Sequence, residues 1–183
     1  MSVATFSFFT FVSPYLLDVT GVDVRWLSLG MLVFGVCAIA GNLLGGYLMD
    51  VMEPIRSTVA ALAGLTLNLL ALYAFGSSPL LMMVLVGSLG VVFFCLVTML
   101  TLRLLKLAQA LAPDSTAVAA GLNIASFNLG TALGGGLGSL TISYAAVSHV
   151  PLVGALAGAT AMAMFWLQTK RVRRTAAGGT ALR

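Results

Sequence analysis

From Ser57 to Leu102 the sequence runs STVAALAGLTLNLLALYAFGSSPLLMMVLVGSLGVVFFCLVTMLTL, 46 residues without an acidic or basic side chain. A transmembrane helix needs about 20 such residues, so this stretch is too long for one span and long enough for two. The turn-forming run Gly76-Ser77-Ser78-Pro79 divides it. A transmembrane barrel would need alternating polar and apolar positions. Leu62 to Leu72 and Leu80 to Leu85 show none. Helices, which satisfy their own backbone groups in lipid, are the remaining solution.

The same logic extends to both sides. Charge-free stretches occupy 1–17, 26–49 and 115–169, and the last breaks near Ser148-His149-Val150-Pro151. Six spans follow, at roughly 1–17, 26–49, 57–75, 79–101, 116–143 and 149–169. Together they form an all-α transmembrane bundle over 1–169 with a basic tail at 170–183. The whole-chain figures agree: of 183 residues, 60% are hydrophobic and 8% charged, with mean hydropathy +1.09. A soluble domain carries about 25% charged residues.

Lys and Arg set the orientation. With six spans, one side of the membrane holds Arg56, Arg103, Lys106, Lys170, Arg171, Arg173, Arg174 and Arg183, and the other holds Arg25 alone. That asymmetry places both termini in the cytoplasm. The run Lys170-Arg171-Val172-Arg173-Arg174 reads as a topology anchor against anionic lipid rather than a nucleic-acid patch. All fourteen charged residues are expected in loops or tails, which leaves the membrane interior without an ionisable relay.

The first span is short. Val3 to Leu17 would reach about 22 Å against a hydrocarbon core of about 30 Å. No basic segment precedes it, so it does not read as a signal peptide. The expectation is a helix that begins before Met1, in a chain that is part of a longer protein. Pro14 is expected to kink this helix near the outer surface.

Several groups stand out inside the spans. Gly41 and Gly45, then Gly130, Gly134 and Gly138, and Gly154 and Gly158 recur at four-residue spacing, on one helix face each. Such stripes serve either static close packing or a sliding surface. Asn42, Asn68, Asn123 and Asn128 are amides that need partners in lipid, supplied by other helices or by a substrate. Among Phe6, Phe9, Phe11, Tyr15, Phe93, Phe94 and Phe127, the strongest candidates for a cavity wall are Phe11, Tyr15 and Phe127. Cys37 and Cys95 fall within spans as small apolar residues, and His149 sits at an interface. No nucleophile–base–acid set, phosphate loop, dinucleotide motif or metal cluster is present, so neither enzymatic catalysis nor a cofactor is expected.

Three runs carry a resemblance. They are Phe9-Thr10-Phe11-Val12-Ser13-Pro14-Tyr15-Leu16-Leu17-Asp18-Val19-Thr20-Gly21; Phe34-Gly35 onward to Gly41-Asn42-Leu43-Leu44-Gly45-Gly46-Tyr47-Leu48-Met49-Asp50; and Ala112-Pro113-Asp114 followed by Asn123 and Phe127-Asn128-Leu129-Gly130-Thr131-Ala132-Leu133-Gly134. In order and spacing they resemble the seventh, eighth and eleventh helices of the major facilitator superfamily. The narrower likeness is to the carboxy-terminal half of bacterial drug:proton antiporter-type permeases, the group that includes sugar and arabinose efflux proteins.

The resemblance implies two inverted three-helix repeats, with Asn42 and Asn128 in equivalent positions. It implies efflux of a drug, sugar or related metabolite from a bacterial inner membrane by alternating access. The substrate would bind against Phe11, Tyr15, Asn123, Phe127 and Asn128. Asp50 and Arg56 stand where the family carries its cytoplasmic gating motif, of which Val51-Met52-Glu53-Pro54-Ile55 preserves little. The family's proton-coupling groups belong to the amino-terminal six helices. The implied partners are therefore lipid, a small-molecule substrate, and either such an amino-terminal half or a second copy of the chain. The other reading is a truncated, non-transporting remnant or a membrane interaction subunit.

Overall fold

The structure, a computed structural model, describes residues 1–179, with side chains described to Lys170. Among the described residues seven α-helices follow one another: α1 (Ser2–Phe9), α2 (Val12–Pro14), α3 (Val24–Val51), α4 (Pro54–Ala74), α5 (Pro79–Leu111), α6 (Thr116–Tyr144) and α7 (Val150–Gly179). The described residues contain no strand. Among the described residues five helices are long and apolar enough to cross a membrane. The pair at Ser2–Phe9 and Val12–Val19, bent by 50°, makes a sixth span if counted as one.

The bend has a local cause. Pro14 lacks the N–H that would bond the Thr10 carbonyl, and its ring crowds that carbonyl. The chain tightens just upstream, where Phe11 N–H reaches back to Phe8 O at 2.9 Å. Beyond Pro14 a wide π turn covers Tyr15–Val19. Gly21, at φ +71°, then turns the chain toward α3, whose first turn is capped by the Asp23 carboxylate accepting from Arg25 N–H at 2.8 Å. The kink thus lies at residues 10–11, one turn before the proline itself.

Two helices run further than the apolar stretches that define them. At 33 residues α5 is about 50 Å long, well beyond a hydrocarbon core of about 30 Å. Arg103 and Lys106 therefore lie on continuous helix, not in a loop. α7 likewise continues past residue 169 through the start of the basic tail, while the tail's last residues, with Arg183, lie outside the described ones. Arg25, Asp50, Arg56 and Lys170 are also helical, which corrects the placement of the charges in loops. Long basic side chains tolerate this by laying their stems along apolar surface. Arg103 does so against α7, its guanidinium 4.8 Å from the Phe165 ring centroid.

The packing reveals an internal symmetry. α3 packs chiefly on α5, α1 on α6, and α4 on α7; α4 also meets α5, and α1 meets α7. Exchanging α1 with α5, α3 with α6 and α4 with α7 returns the same set of pairs. Successive spans alternate direction, so the first and fourth spans are antiparallel and the two triplets are inverted repeats.

Glycines fix the register of the two equivalent interfaces. A Cβ on Gly41 would strike the Val91 carbonyl, and one on Gly45 would lie 2.6 Å from the Cys95 carbonyl oxygen. Across the other interface, a Cβ on Gly134 would lie 2.8 Å from the Val3 carbonyl oxygen, and one on Gly138 would strike that of Ser7. Gly41 thus corresponds to Gly134 and Gly45 to Gly138. The same register pairs Asn42 with Gly135, so Asn42 and Asn128 are not equivalent.

The core joins the bent first span, α4 and α5 through Phe8, Leu16, Leu65, Leu69, Leu72, Val86, Leu89 and Leu96, all buried. Most of the α3 and α6 surface is exposed: Leu32, Val36, Ile39 and Leu43 on one, Leu122, Leu129, Leu133 and Leu140 on the other.

Candidate functional site: an aromatic-walled cavity

The bundle end where α1, α4 and α6 begin and α3 and α5 finish carries Asp50, Glu53, Arg56, Arg103, Lys106 and Asp114, and Lys170 of α7 reaches it too. This is the basic end of the bundle. A cavity of about 490 Å³ opens there between the start of α1, the later turns of α5 and the first half of α6. Ser2, Val3, Val97, Leu100, Thr101, Asn123, Ser126 and Phe127 are among its walls. Among the described residues, no Asp, Glu, Lys or Arg lines it.

α6 reaches the cavity with two adjacent rows. Asn123 and Phe127 are four residues apart, as are Ser126 and Gly130, so both pairs share one helix face. Glycine at the far end of that face lets α6 lie close on α1 at Ser2. Asn123 is held from across the cavity, donating from Nδ2 to Thr101 Oγ1 of α5 at 3.0 Å. Its amide oxygen and the Thr101 hydroxyl proton leave further hydrogen-bonding capacity.

Phe127 is the cavity's edge of a larger aromatic cluster. Phe6 of α1 meets Phe127 and Phe93 edge to face, with centroids 5.9 and 5.6 Å away. Phe93 continues to Phe94 at 5.2 Å, and Phe6 to Phe9 at 6.0 Å. Phe9 stacks on Phe34 of α3 at 4.2 Å. Rings from four helices thus back a small polar group of amide and hydroxyls, a combination suited to a ligand with apolar faces and a few polar atoms.

The other expected site residues lie elsewhere. Tyr15 is 1% exposed and donates its hydroxyl to the Leu72 carbonyl at 2.9 Å. It is a packing residue between the first span and α4, not a cavity wall, because only there does its hydroxyl find an acceptor in a dry setting. Phe11 packs over Gly138, where a Cβ would lie 2.6 Å from its ring, in the α1–α6 seam. Asn128 is exposed on α6, outside the cavity lining. Asp50 is exposed at the end of α3, and Arg56 meets Glu53 rather than Asp50, through Nε at 2.8 Å.

The remaining amides hold helices together. Asn68 of α4 donates to the Leu85 carbonyl at 3.3 Å and to the Ser88 hydroxyl of α5. Asn42 accepts from Thr98 of α5 at 2.8 Å. Cys95 lies against Met99 at 3.6 Å, and both cysteines are free thiols.

Ser2, Thr101 and Ser126 were not legible as site residues, since an isolated hydroxyl in an apolar run carries no distinguishing signal. Phe6, at the centre of the cluster, had only its aromatic character. The usable signal was the row Asn123–Phe127 beside Ser126–Gly130.

No family model matches the chain. A probable sugar efflux transporter of Haemophilus influenzae (strain PittGG) is 30% identical over 172 residues, covering 94% of this chain and 42% of that protein. An MFS-type (major facilitator superfamily) transporter of Bacillus subtilis is 32% identical over 158 residues, covering 83% and 38%. Over most of its length the chain is similar to transporters of the major facilitator superfamily. An inner membrane transport protein of Escherichia coli (strain K12) aligns at 29% identity over 182 residues, with 94% of this chain and 43% of the relative covered. The chain thus spans less than half the length of these curated relatives. A six-span, all-α unit built of two inverted triplets is half of a major facilitator fold, and the chain is a multi-pass membrane protein.

Proposed function

We propose that this chain is the carboxy-terminal half of an efflux permease that exports an uncharged small molecule, a drug, sugar or related metabolite, by alternating access. The observation that carries the reading is the cavity at the basic end: about 490 Å³, with no Asp, Glu, Lys or Arg among its described lining residues and with Asn123 and Thr101 facing an aromatic wall at Phe127. Substrate polar atoms would exchange with the Asn123–Thr101 hydrogen bond while apolar faces lie on Phe127 and the rings behind it. The sugar efflux names of the Haemophilus relatives suit such a ligand.

The exposed aliphatic faces of α3 and α6 would pack on an amino-terminal six-helix half, encoded upstream or as a separate chain. Asn128 lies on the α6 side of that surface. Asp50 and Arg56, at the end of α3 and the start of α4, would form the cytoplasmic gate. The net basic charge at this end supports cytoplasmic termini in an inner membrane. Coupling to protons would fall to the other half, because none of the described residues lining this cavity carries a titratable side chain.

Flux is the decisive measurement. Proteoliposomes containing the chain with a six-span partner half should move a sugar or amphipathic drug down its gradient, and N123A should cut that flux by tenfold or more. Absence of flux from both the chain alone and the paired halves, across a panel of both ligand types, would favour the remnant reading.

A further inference from the structure

A second recess lies at the basic end, apart from the cavity. It is a groove of about 250 Å³ between the first turns of α4 and the last apolar turn of α7, lined by Ile55, Arg56, Val59, Trp166, Thr169 and Lys170. One of the candidate membrane spans, Val147–Lys170, finishes there.

The groove is amphipathic along its depth. Ile55 and Val59 supply aliphatic surface from α4, and Trp166 sits where an indole favours the membrane–water boundary. Lys170, one turn further on, holds its ammonium 3.5 Å from the Trp166 ring centroid. On the facing helix the Arg56 side chain is 83% exposed, with Nε against Glu53. The amino-terminal end of α4, 21 residues long, adds a partial positive charge beside Arg56. Two cations therefore flank a recess whose floor is apolar and whose aromatic wall belongs at headgroup level.

We propose that this groove is a binding site for an anionic phospholipid, with the phosphate diester between Arg56 and Lys170 and the glycerol and first acyl carbons on Trp166, Ile55 and Val59. A soluble phosphate would use the cations and waste the apolar floor. A neutral or zwitterionic lipid would use the floor and leave the groove's net positive charge, that of Lys170 beside the Arg56–Glu53 pair, unmatched. The anionic lipid matches both.

Trp26, at the opposite end of the bundle, is the other tryptophan, so W26F leaves Trp166 as the single indole reporter. The W26F chain is reconstituted into nanodiscs holding either dibrominated phosphatidylglycerol in plain phosphatidylcholine, or dibrominated phosphatidylcholine in plain phosphatidylglycerol. Trp166 should be quenched about fivefold more steeply by the brominated anionic lipid, the enrichment one cation confers near an anionic surface. Adding R56Q and K170Q should bring that ratio close to one, and adding R56K and K170R should preserve it. Equal quenching by the two lipids in the W26F chain overturns the site. So does a ratio that survives R56Q/K170Q, or one lost equally in R56K/K170R.

Discussion

Tyr15 and Leu72 are joined by a hydrogen bond from the phenol to the backbone carbonyl, 2.9 Å long and buried, which ties the bend of the first span to the last turns of α4. The contact depends on Gly76, because a Cβ there would meet the Tyr15 hydroxyl. Removing the hydroxyl with Y15F should cost about 1 kcal/mol. G76A, which forces the ring aside in a packed core, should cost about 1–3 kcal/mol. Thermal melting of the purified chain in one detergent compares the two, and a Y15F melting curve that overlays the parent would contradict the bond.

The glycine seams are more sensitive. G45L and G134L each drive a side chain into the backbone of the facing helix, with no flexible atom to yield. Each should cost several kcal/mol and sharply reduce the monodisperse fraction on size exclusion. Gly46 and Gly136 have nothing within 4 Å of a built Cβ, so G46L and G136L should behave like the parent. Equal effects at seam and open positions would mean that close approach is not what these glycines serve.

Asn68 is the amide whose loss should register as stability alone. N68L removes donors to Leu85 and Ser88, and interhelical hydrogen bonds in membranes average about 0.6 kcal/mol, with a ceiling near 1.7. A double-mutant cycle with S88A should return a coupling in that range. Ligand-induced stabilisation should be unchanged in N68L.

Asn123 and Phe127 should show the converse. N123A and F127A should melt within about 1–2 kcal/mol of the parent, since both side chains are only partly buried beside an open cavity. Each should lose most of the thermal shift produced by the best ligand in a panel of sugars and amphipathic drugs. Retention of that shift in both variants would move the substrate site elsewhere.

How much of this was readable beforehand depends on what lipid enforces. Runs such as 57–102 announce helices because a charge-free stretch of that length has no other stable form in hydrocarbon. Hydrophobicity is silent, however, about which side of a membrane helix meets protein. Leu69 is buried and Leu67, two residues earlier, is 64% exposed, though both are leucine in the same run. For that reason the aromatics could not be sorted: Tyr15 and Phe11 read as cavity walls and are packing residues, while Phe6 lies at the centre of the cluster.

The ends of helices were legible only as far as charge marks them. Arg103 read as a loop residue because it is charged. The helix passes through it because its ring contact with Phe165 and the length of its stem make the position tolerable. Glycine spacing told which faces pack closely, but the partner of each face, and with it the correct equivalence of Gly41 with Gly134, required the third dimension.

The crossed arrangement of the triplets constrains how the chain can be made. α3 is held chiefly by α5, and α1 by α6, so each of the first two spans finds its main neighbour only after two or more further helices have been synthesised. During elongation through Phe75, the Gly41–Gly45 face has no backbone to nestle against, and the Ser2–Ser7 face stays bare until residue 138 emerges. Until then the early helices lack their chief partners, with only lesser contacts such as Tyr15–Leu72 open to them. Assembly of the bundle is a late and concerted event, timed by the arrival of α5 and α6.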